Sequence, residues 1–298
     1  MRKPNLFIVG APKCGTTSMA HYLSAHPEIF MEPGEPHFFG RDIPYDPVRM
    51  TEIEYLHLFD GADRESLIGE KSPWYLFSAT AAEEIKAFQP DARIIIQIRN
   101  PADMLYSLHN HYAFHTKRED ILDFRKALAA EPDRRAGRRI PSNARFPGQL
   151  FYSEIPRYTA QIRRYVETFG WEKVHVIVYD DLNRDPAAVY RATLDFLEVA
   201  DRDFQPVFPV HNKARPLKSF ALHNTILATS RMTRSIKNAL PEAAWRPVRM
   251  LRDFAYSWNT ESASLPDDLR RSLNRQFHDE VRALSDLLNR DLTSWTAS

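Results

Sequence analysis

One loop near the amino end of the chain most constrains its fold. It reads Gly10-Ala11-Pro12-Lys13-Cys14-Gly15-Thr16-Thr17-Ser18, and it lies between a short apolar run, Leu6 to Val9, and a helical pattern, Thr17 to Ala25. A glycine-containing turn between a strand and a helix directs successive backbone N–H groups and the positive end of the helix dipole toward one point. The sequence therefore predicts an anion site, suited to a phosphate, at the end of the first strand.

The position of the lysine in this loop argues against a nucleoside-triphosphate P-loop. In that pattern, G-x-x-x-x-G-K-[ST], the lysine follows the second glycine and the hydroxyl beside it binds magnesium. Here Thr16 follows Gly15, and Lys13 precedes that glycine by two residues. Lys13 is therefore predicted to reach a bound phosphate from the loop itself.

A second candidate phosphate contact follows another apolar run, Arg93 to Ile98. Arg99 comes directly after this run, Pro101 starts a predicted helix, and Ser107 lies about two turns into that helix. A guanidinium offers a planar, permanently charged fork to a phosphate, and a serine hydroxyl adds a further hydrogen bond. A magnesium-dependent triphosphatase would be expected to end such a strand in aspartate. The sequence therefore predicts an anion held by protein cations, with no metal site.

These two motifs resemble the phosphate-binding motifs of sulfotransferases that use 3′-phosphoadenosine 5′-phosphosulfate (PAPS). The loop is similar to the family's 5′-phosphosulfate loop, and Arg99 with Ser107 is similar to its 3′-phosphate motif, R-[DN]-P followed by a serine eight residues after the arginine. The resemblance covers nearly the whole chain and is greatest to heparan-sulfate-type and related bacterial members. The further matching segments are Glu35-Pro36-His37-Phe38-Phe39, Gly69-Glu70-Lys71-Ser72-Pro73-Trp74-Tyr75, Tyr179-Asp180-Asp181-Leu182 with Asp185-Pro186, and Arg290-Asp291-Leu292 with Trp295.

The resemblance implies transfer of a sulfuryl group from PAPS to a hydroxyl or amine, with adenosine 3′,5′-bisphosphate as the second product. It implies that Lys13 stabilises the departing oxygen, that Glu35 takes the acceptor's proton, and that Lys71 holds the sulfuryl oxygens or an acceptor carboxylate. Glu32 and His37 stay open as alternative bases, because the residue before Glu35 departs from the family pattern. The implied donor contacts are Lys13, Cys14, Gly15, Thr16, Thr17, Ser18, Arg99, Ser107, Lys213 and Arg215, and the acceptor contacts are His37, Trp74 and Tyr75.

Composition excludes several other classes of protein. Hydrophobic residues at 43% and charged residues at 27% are typical of a globular protein, and a net charge of +1 gives no overall attraction to nucleic acid or membrane. Cys14 is the only cysteine, which excludes an intrachain disulfide and a cysteine-rich metal site. The apolar run Leu6 to Val9 is too short for a signal sequence or a membrane span, so we expect a cytoplasmic location. His111 and His115 lie four residues apart without an evident third ligand, so they predict no zinc site.

Apolar runs and helical patterns alternate along the first two thirds of the chain. The runs are Leu6 to Val9, Leu67 to Gly69, Arg93 to Ile98 and Val174 to Tyr179; the helical patterns are Thr17 to Ala25, Ala79 to Phe88, Pro101 to His115, Ser153 to Phe169 and Ala187 to Leu197. This alternation predicts an α/β fold with a central parallel β-sheet flanked by helices. The resemblance implies the P-loop-like sulfotransferase version of that fold. We expect a single domain over residues 1–298, with an α/β core over 1–205 and a loop and helical part over 206–298.

Two basic stretches belong to none of these motifs. Asp133 to Gln149 carries five arginines among prolines and glycines. It predicts a mobile loop and not a helix, either solvated or closing over an anionic cofactor or acidic acceptor. Arg231 to Arg252 predicts a surface helix, with contact to an acidic partner or a lipid surface as the alternative.

Two other function classes stay open beside sulfuryl transfer. A P-loop nucleotide kinase would need a lysine next to Gly15 and a carboxylate for magnesium. A non-catalytic module would bind adenosine bisphosphate and sulfate nothing. Within sulfuryl transfer, the resemblance implies a carbohydrate acceptor, with a lipid or another small molecule as the alternatives, and the oligomeric state is not predicted.

Overall fold

The computed structural model describes residues 2–45, 48–208 and 265–297 of the chain. The strands in these ranges form one parallel sheet in the order β2-β3-β1-β4-β5. They are β1 (Leu6–Gly10), β2 (Ile29–Met31), β3 (Leu67–Lys71), β4 (Arg93–Ile98) and β5 (Val174–Val178). The predicted α/β architecture with a central parallel sheet is confirmed.

Strand β2 is the strand that the sequence did not predict. Ile29-Phe30-Met31 is only three residues long, which is too short for a periodic pattern to identify it. It pairs with β3, with Ile29 opposite Leu67 and Met31 opposite Gly69. Because the chain leaves β2 directly into the segment that contains Glu35, this short strand places that segment at the carboxyl edge of the sheet.

Helices cover both faces of the sheet. Successive side chains of a strand point to opposite faces of the sheet. In β1, Phe7 and Val9 therefore pack into one apolar core, and Leu6 and Ile8 pack into the other. The helices are α1 (Thr16–Ser24), α2 (Glu52–His57), α3 (Ala81–Phe88), α4 (Pro101–Asn110), α5 (Phe124–Ala129), α6 (Glu131–Arg135), α7 (Tyr158–Phe169), α8 (Tyr179–Arg184), α9 (Pro186–Leu197), α10 (Asp267–Gln276) and α11 (His278–Leu288). A π-helical segment, His111–Thr116, continues α4, and single 3-10 turns occur at Pro147–Leu150, Trp171–Lys173 and Thr293–Trp295.

The carboxyl end of the chain returns to the loops that follow β4 and β5. The Asn100 side chain caps α4 by accepting from the Ala102 N–H at 2.9 Å, and its Nδ2 donates to the Trp295 carbonyl at 2.9 Å. The indole N–H of Trp295 donates to Asp180 at 2.6 Å. Arg290 pairs with Asp181 nearby. The segment with Asp180 and Asp181 therefore binds the segment with Arg290 and Trp295. Through Asn100, the second segment also contacts the turn that carries Arg99.

Two predicted boundaries were wrong. The helix expected from Ser153 begins at Tyr158, because Pro156 favours a turn before it and the Ser153 hydroxyl binds Glu131 instead. The stretch expected as a loop from Asp133 begins inside α6, and the 3-10 turn at Pro147–Leu150 lies near its end.

Four of the five arginines of this stretch form ion pairs within the fold. Arg134 lies 2.6 Å from Glu119, and both side chains are fully buried. Arg135 pairs with Glu131 at 2.6 Å and with Glu154 at 2.8 Å. These partners belong to other segments, and the sequence of a basic stretch does not reveal them, which is why it read as a solvated loop.

Some predicted features lie outside the described residues. They are Lys213, Arg215 and the basic stretch 231–252. Within the described ranges, none of the helices combines the length and the apolar character that a membrane crossing requires.

Candidate active site at the carboxyl edge of the sheet

The predicted phosphate loop follows β1 and ends at the first turn of α1. Its conformation requires glycine at Gly15, where φ is +89° and a Cβ atom would lie 3.0 Å from Leu182 Cδ2 and 3.2 Å from Tyr179 Cδ2. Lys13 also has a left-handed backbone, with φ of 62°. The Gln97 side chain fixes the loop from below by donating to the Cys14 carbonyl at 3.2 Å. In the described part of the chain no side chain caps the first turn of α1, so its N–H groups are available to a ligand in the cavity that this loop borders.

A cavity of about 340 Å³ opens over this loop. Residues of both predicted phosphate motifs line it together with Glu35, which the sequence placed in a separate segment. The motif residues that line it are Pro12, Lys13, Gly15, Thr16, Thr17, Ser18, Arg99 and Ser107; the others are Glu35, Tyr45, Pro73, Trp74, Leu108, Asn110, His111, Tyr112, His115, Arg118 and Tyr179. Strands β1 and β4 are neighbours in the sheet, so the loops that follow them meet at one edge.

Two cations from different loops line this cavity and lie close to each other. Arg99 lies over the Tyr179 ring, 4.5 Å from its centroid, and its Nη1 donates to the Lys13 carbonyl at 3.4 Å. Burial lowers the pKa of Lys13, and the positive charge of Arg99 lowers it further. Buried Ser107 adds a hydroxyl from α4 to the same lining. Together these groups are suited to a ligand with more than one negative charge.

Glu35 contributes a carboxylate to the cavity lining. Its Oε1 accepts from Lys71 Nζ at 2.6 Å, and its Oε2 lies 3.5 Å from His37 Nε2. Burial by itself raises the pKa of Glu35, but the contacts from His37 and Lys71 outweigh it and lower the pKa to about 2. The Glu35 side chain keeps 39% of its surface exposed, whereas that of Lys71 keeps 6%. The cavity therefore holds an ionised, accessible carboxylate with a buried cation behind it.

The cavity lining also contains aromatic side chains. His111 and His115 stack with ring centroids 5.7 Å apart. Burial, followed by the positive charge of Lys13, lowers the pKa of His111 to about 4, and burial also lowers the pKa of His115. Both rings are therefore neutral at neutral pH and can exchange hydrogen bonds with hydroxyl groups. The lining also includes Tyr45, Trp74, Tyr112 and Arg118.

Several predicted site residues lie behind the cavity and do not line it. The Cys14 thiol is buried, donates to the Pro12 carbonyl at 3.4 Å and has its pKa raised to about 12 by burial. Only the backbone of Cys14 can therefore serve an anion. Tyr75 is buried, and its hydroxyl donates to Glu70. His37 is also buried, with its ring stacked on Tyr45 at 3.6 Å.

The three candidate bases occupy different positions. Glu35 lines the cavity, whereas His37 contacts Glu35 from behind. Glu32 accepts from the Gly34 N–H at 3.2 Å and is not part of the lining. Among the described residues there is also no group of three or more His, Cys, Asp or Glu side chains placed to hold a metal ion.

Sequence reasoning gave no role to Tyr45, Arg118 or Tyr179. Tyr45 and Arg118 lie in irregular segments without a recognisable pattern, so no signal could have identified them. Tyr179 was part of a matched segment, but the contact of its ring with Arg99 depends on the pairing of β4 with β5.

Residues 3–237 match the family model described as "Sulfotransferase domain". The crystal structure of a sulfotransferase from Alicyclobacillus acidocaldarius is 30% identical in sequence, superposes with a TM-score of 0.74, and is aligned over 100% of both chains.

Two similar curated proteins are larger. The bifunctional heparan sulfate N-deacetylase/N-sulfotransferase 1 of Caenorhabditis briggsae is 24% identical over 73% of this chain and 25% of its own length. Carbohydrate sulfotransferase 15 of Homo sapiens is 32% identical over 39% of this chain and 28% of its own length. The alignments thus span about a quarter of these relatives.

Proposed function

The chain belongs to the sulfotransferase domain family of the PAPS-dependent superfamily, and from this premise we propose that it moves a sulfuryl group from PAPS to an acceptor hydroxyl or amine. The observation that carries the proposal is the convergence of Lys13, Arg99, Ser107 and Glu35 on one cavity. Lys13, Arg99 and Ser107 are suited to bind a nucleotide with two anionic groups. Glu35 is suited to accept the proton that leaves the acceptor.

The donor would be held by the cationic and hydroxyl groups of the cavity lining. The N–H groups at the start of α1, with the hydroxyls of Thr16, Thr17 and Ser18, would bind the 5′-phosphate. Arg99 and Ser107 would bind the 3′-phosphate, and Arg99 has its guanidinium plane fixed for this by the Tyr179 ring. Each charge-assisted hydrogen bond of this kind contributes roughly 1.5–3 kcal/mol.

The chemical step would be an in-line displacement at sulfur. The acceptor oxygen or nitrogen forms a bond to sulfur while the bond from sulfur to the 5′-phosphate oxygen breaks, and the electron pair of that bond stays on the departing phosphate. Lys13 would neutralise the charge that develops on this oxygen. Glu35 would take the acceptor's proton. Because such transition states need mainly positioning and charge neutralisation, a rigid cavity lined by fixed cations can supply most of the catalysis.

Lys71 and His37 would act through Glu35. Both favour its ionised form, so at neutral pH Glu35 is a carboxylate able to accept a proton. A pKa of about 2 makes Glu35 a weak base in the ground state. Proton transfer would therefore accompany S–O bond formation, which makes the acceptor far more acidic.

We propose a carbohydrate or another small hydroxyl-bearing molecule as the acceptor, with a lipid as the alternative. Trp74, Tyr45 and Tyr112 offer aromatic surface, and the neutral rings of His111 and His115 offer hydrogen bonds to hydroxyls. Two of the similar proteins carry heparan sulfate or carbohydrate in their names, which supports the same class.

We also propose that residues 1–298 form one sulfotransferase domain, with an α/β core over 1–205. In support, Leu269, Leu273 and Trp295 share one apolar core with Phe7 and Val9 of the central strand. A segment that completes the core of the sheet would not fold as a separate unit.

The test is transfer of ³⁵S from labelled PAPS to a panel of glycans and small alcohols in chelator-treated buffer. We expect transfer by the wild-type protein, loss of at least a hundredfold in Lys13→Ala, and full transfer in Lys86→Ala. Lys86 is a matched control because it lies on α3, does not line the cavity, and its ammonium donates to the Pro90 carbonyl at 2.8 Å. Transfer that survives Lys13→Ala would overturn the role of Lys13. Phosphoryl transfer from magnesium-ATP in its place would overturn the reaction, and tight nucleotide binding without transfer would favour a binding module.

A further inference from the structure

Glu70 is a completely buried carboxyl group beside the cavity for which the proposed reaction gives no role. It lies on β3, next to Lys71, and has no exposed surface. Three hydroxyls donate to it: Tyr55 at 2.7 Å, Ser72 at 2.7 Å and Tyr75 at 3.0 Å. Among the described residues no cation pairs with it, since Lys71 binds Glu35 on the opposite face of the strand.

Two of the three hydroxyls also accept hydrogen bonds from the backbone of the segment that carries Glu35. The Ser72 Oγ accepts from the backbone N–H of His37 at 3.0 Å. The Tyr75 hydroxyl accepts from the backbone N–H of Phe39 at 3.2 Å. Each hydroxyl has one proton, and because that proton is donated to Glu70, an oxygen lone pair is directed at the N–H. Glu70 therefore sets the direction of both bonds.

The segment so held has no regular hydrogen bonding of its own. Residues 35–38 belong to neither a helix nor a strand. His37 has a φ of 48°, a left-handed conformation that costs free energy in a residue other than glycine. The two bonds start from a rigid base, because the Ser72 N–H donates to the Ile8 carbonyl of β1 at 3.1 Å and the Tyr165 hydroxyl donates to the Tyr75 carbonyl at 3.0 Å.

We propose that Glu70 is a positioning residue that acts through Ser72 and Tyr75 to fix the backbone on both sides of His37, and thereby aims Glu35 at the cavity. The proposal rests on the proposed function, in which Glu35 takes the acceptor's proton. It assigns Tyr75 to this network, whereas the sequence assigned it to the acceptor. A displacement of about 1 Å at a reacting group is enough to cost roughly a hundredfold in rate.

A purely stabilising role accounts less well for a carboxyl group at this position. Burial raises the pKa of Glu70 to about 7, although the bonds from Ser72, Tyr55 and Tyr75 lower it. The buried charge therefore carries a desolvation penalty that its partners only partly offset. Apolar residues of similar volume often replace such groups without loss of stability, so the network is explained by the geometry that it imposes.

The three hydroxyls allow a matched test. Tyr55→Phe, Tyr75→Phe and Ser72→Ala each remove one hydroxyl from the same carboxylate, but only the last two break a bond to the 35–39 segment. Tyr55 instead stacks its ring on Phe38, with centroids 4.2 Å apart, and phenylalanine keeps that contact. These conservative changes avoid Glu70→Gln, which reorganises all three bonds together.

The first measurement is backbone amide hydrogen exchange, which needs neither donor nor acceptor. We expect exchange at His37 and Phe39 to accelerate at least tenfold in Ser72→Ala and Tyr75→Phe respectively, and to stay within twofold of wild type in Tyr55→Phe. Equal acceleration in all three variants, or in none, would overturn the inference. This result does not depend on what reaction the protein performs.

The second measurement compares the effect of each variant on kcat with its effect on nucleotide affinity. The kcat values are measured with the acceptor that the transfer assay identifies. We expect kcat to fall roughly tenfold to a hundredfold in Ser72→Ala and Tyr75→Phe, with the Kd for adenosine 3′,5′-bisphosphate unchanged, and Tyr55→Phe to resemble wild type. A loss in Tyr55→Phe as large as in Tyr75→Phe would mean that only stability is affected. If instead Glu35→Gln keeps full kcat, the proposed base is wrong, while the exchange result still tests the network.

Discussion

Replacing Arg99 by methionine should weaken nucleotide binding at one end of the ligand only. Two observations lead to this expectation: the guanidinium is held in place by the Tyr179 ring, and among the described residues no carboxylate pairs with it. Its hydrogen-bonding fork is therefore available to a phosphate. Two charge-assisted hydrogen bonds at the low end of their range amount to about 3 kcal/mol, which corresponds to a loss of roughly 150-fold in affinity.

The assay is calorimetric titration with two nucleotides in chelator-treated buffer. Adenosine 3′,5′-bisphosphate carries both phosphates, whereas adenosine 5′-monophosphate lacks the one assigned to Arg99. We expect the loss of roughly 150-fold with the bisphosphate only. The positive charge of Arg99, after burial, lowers the pKa of Lys13. Its removal takes away one cause of that lowering, so binding of the monophosphate should be unchanged or slightly tighter.

The control is Arg93→Met, at the opposite end of the same strand. The Arg93 guanidinium binds the Phe196 carbonyl and Glu198, each at 2.5 Å, away from the cavity. This variant should bind both nucleotides like wild type. Equal losses with the two nucleotides in Arg99→Met, or a loss below threefold with the bisphosphate, would refute the assignment of Arg99 to the 3′-phosphate.

Two further predictions concern the ion pairs. The lowered pKa of Glu35, about 2, keeps its carboxylate ionised down to that pH, so the wild-type rate should show no acidic limb from Glu35 between about pH 5 and 8. Lys71→Met removes a cause of that lowering while burial still raises the pKa, so an acidic limb should move up toward this range; a kcat/KM profile without such a shift would contradict the coupling of Lys71 to Glu35. Arg134→Met leaves Glu119 as an unpaired buried charge and should reduce the free energy of unfolding by about 3–5 kcal/mol in denaturant titrations. A reduction below about 1 kcal/mol would show that water or another group replaces the arginine.

The predictions were most accurate for strands whose own residues carry a clear apolar pattern. Strands β1, β4 and β5 follow the predicted runs closely, because β-branched and apolar residues repeat within them. The three residues of β2 carry too little pattern, and the start of α7 depends on what Ser153 binds elsewhere. The arginines after Asp133 read as solvated, since nothing near them in sequence indicates that Glu119 is buried beside Arg134.

The sequence by itself predicted that the two phosphate motifs lie together at one edge of the sheet. Lys13 and Gly15 lie within one loop, and Arg99 and Ser107 lie on one strand-to-helix turn, so local backbone geometry fixes each group. The rule that parallel strands direct their carboxyl ends to one edge then brings the two motifs together.

Only the tertiary structure decided which groups surround Glu35. Lys71 reaches it from 36 residues away, and the segment between β2 and α2 is held through Ser72 and Tyr75 by the buried Glu70. Such contacts depend on strand register and on which face of β3 each side chain occupies. They also depend on burial, because a buried carboxylate needs hydrogen bonds from its neighbours. These properties are set by packing across the sheet, and no short stretch of sequence contains them.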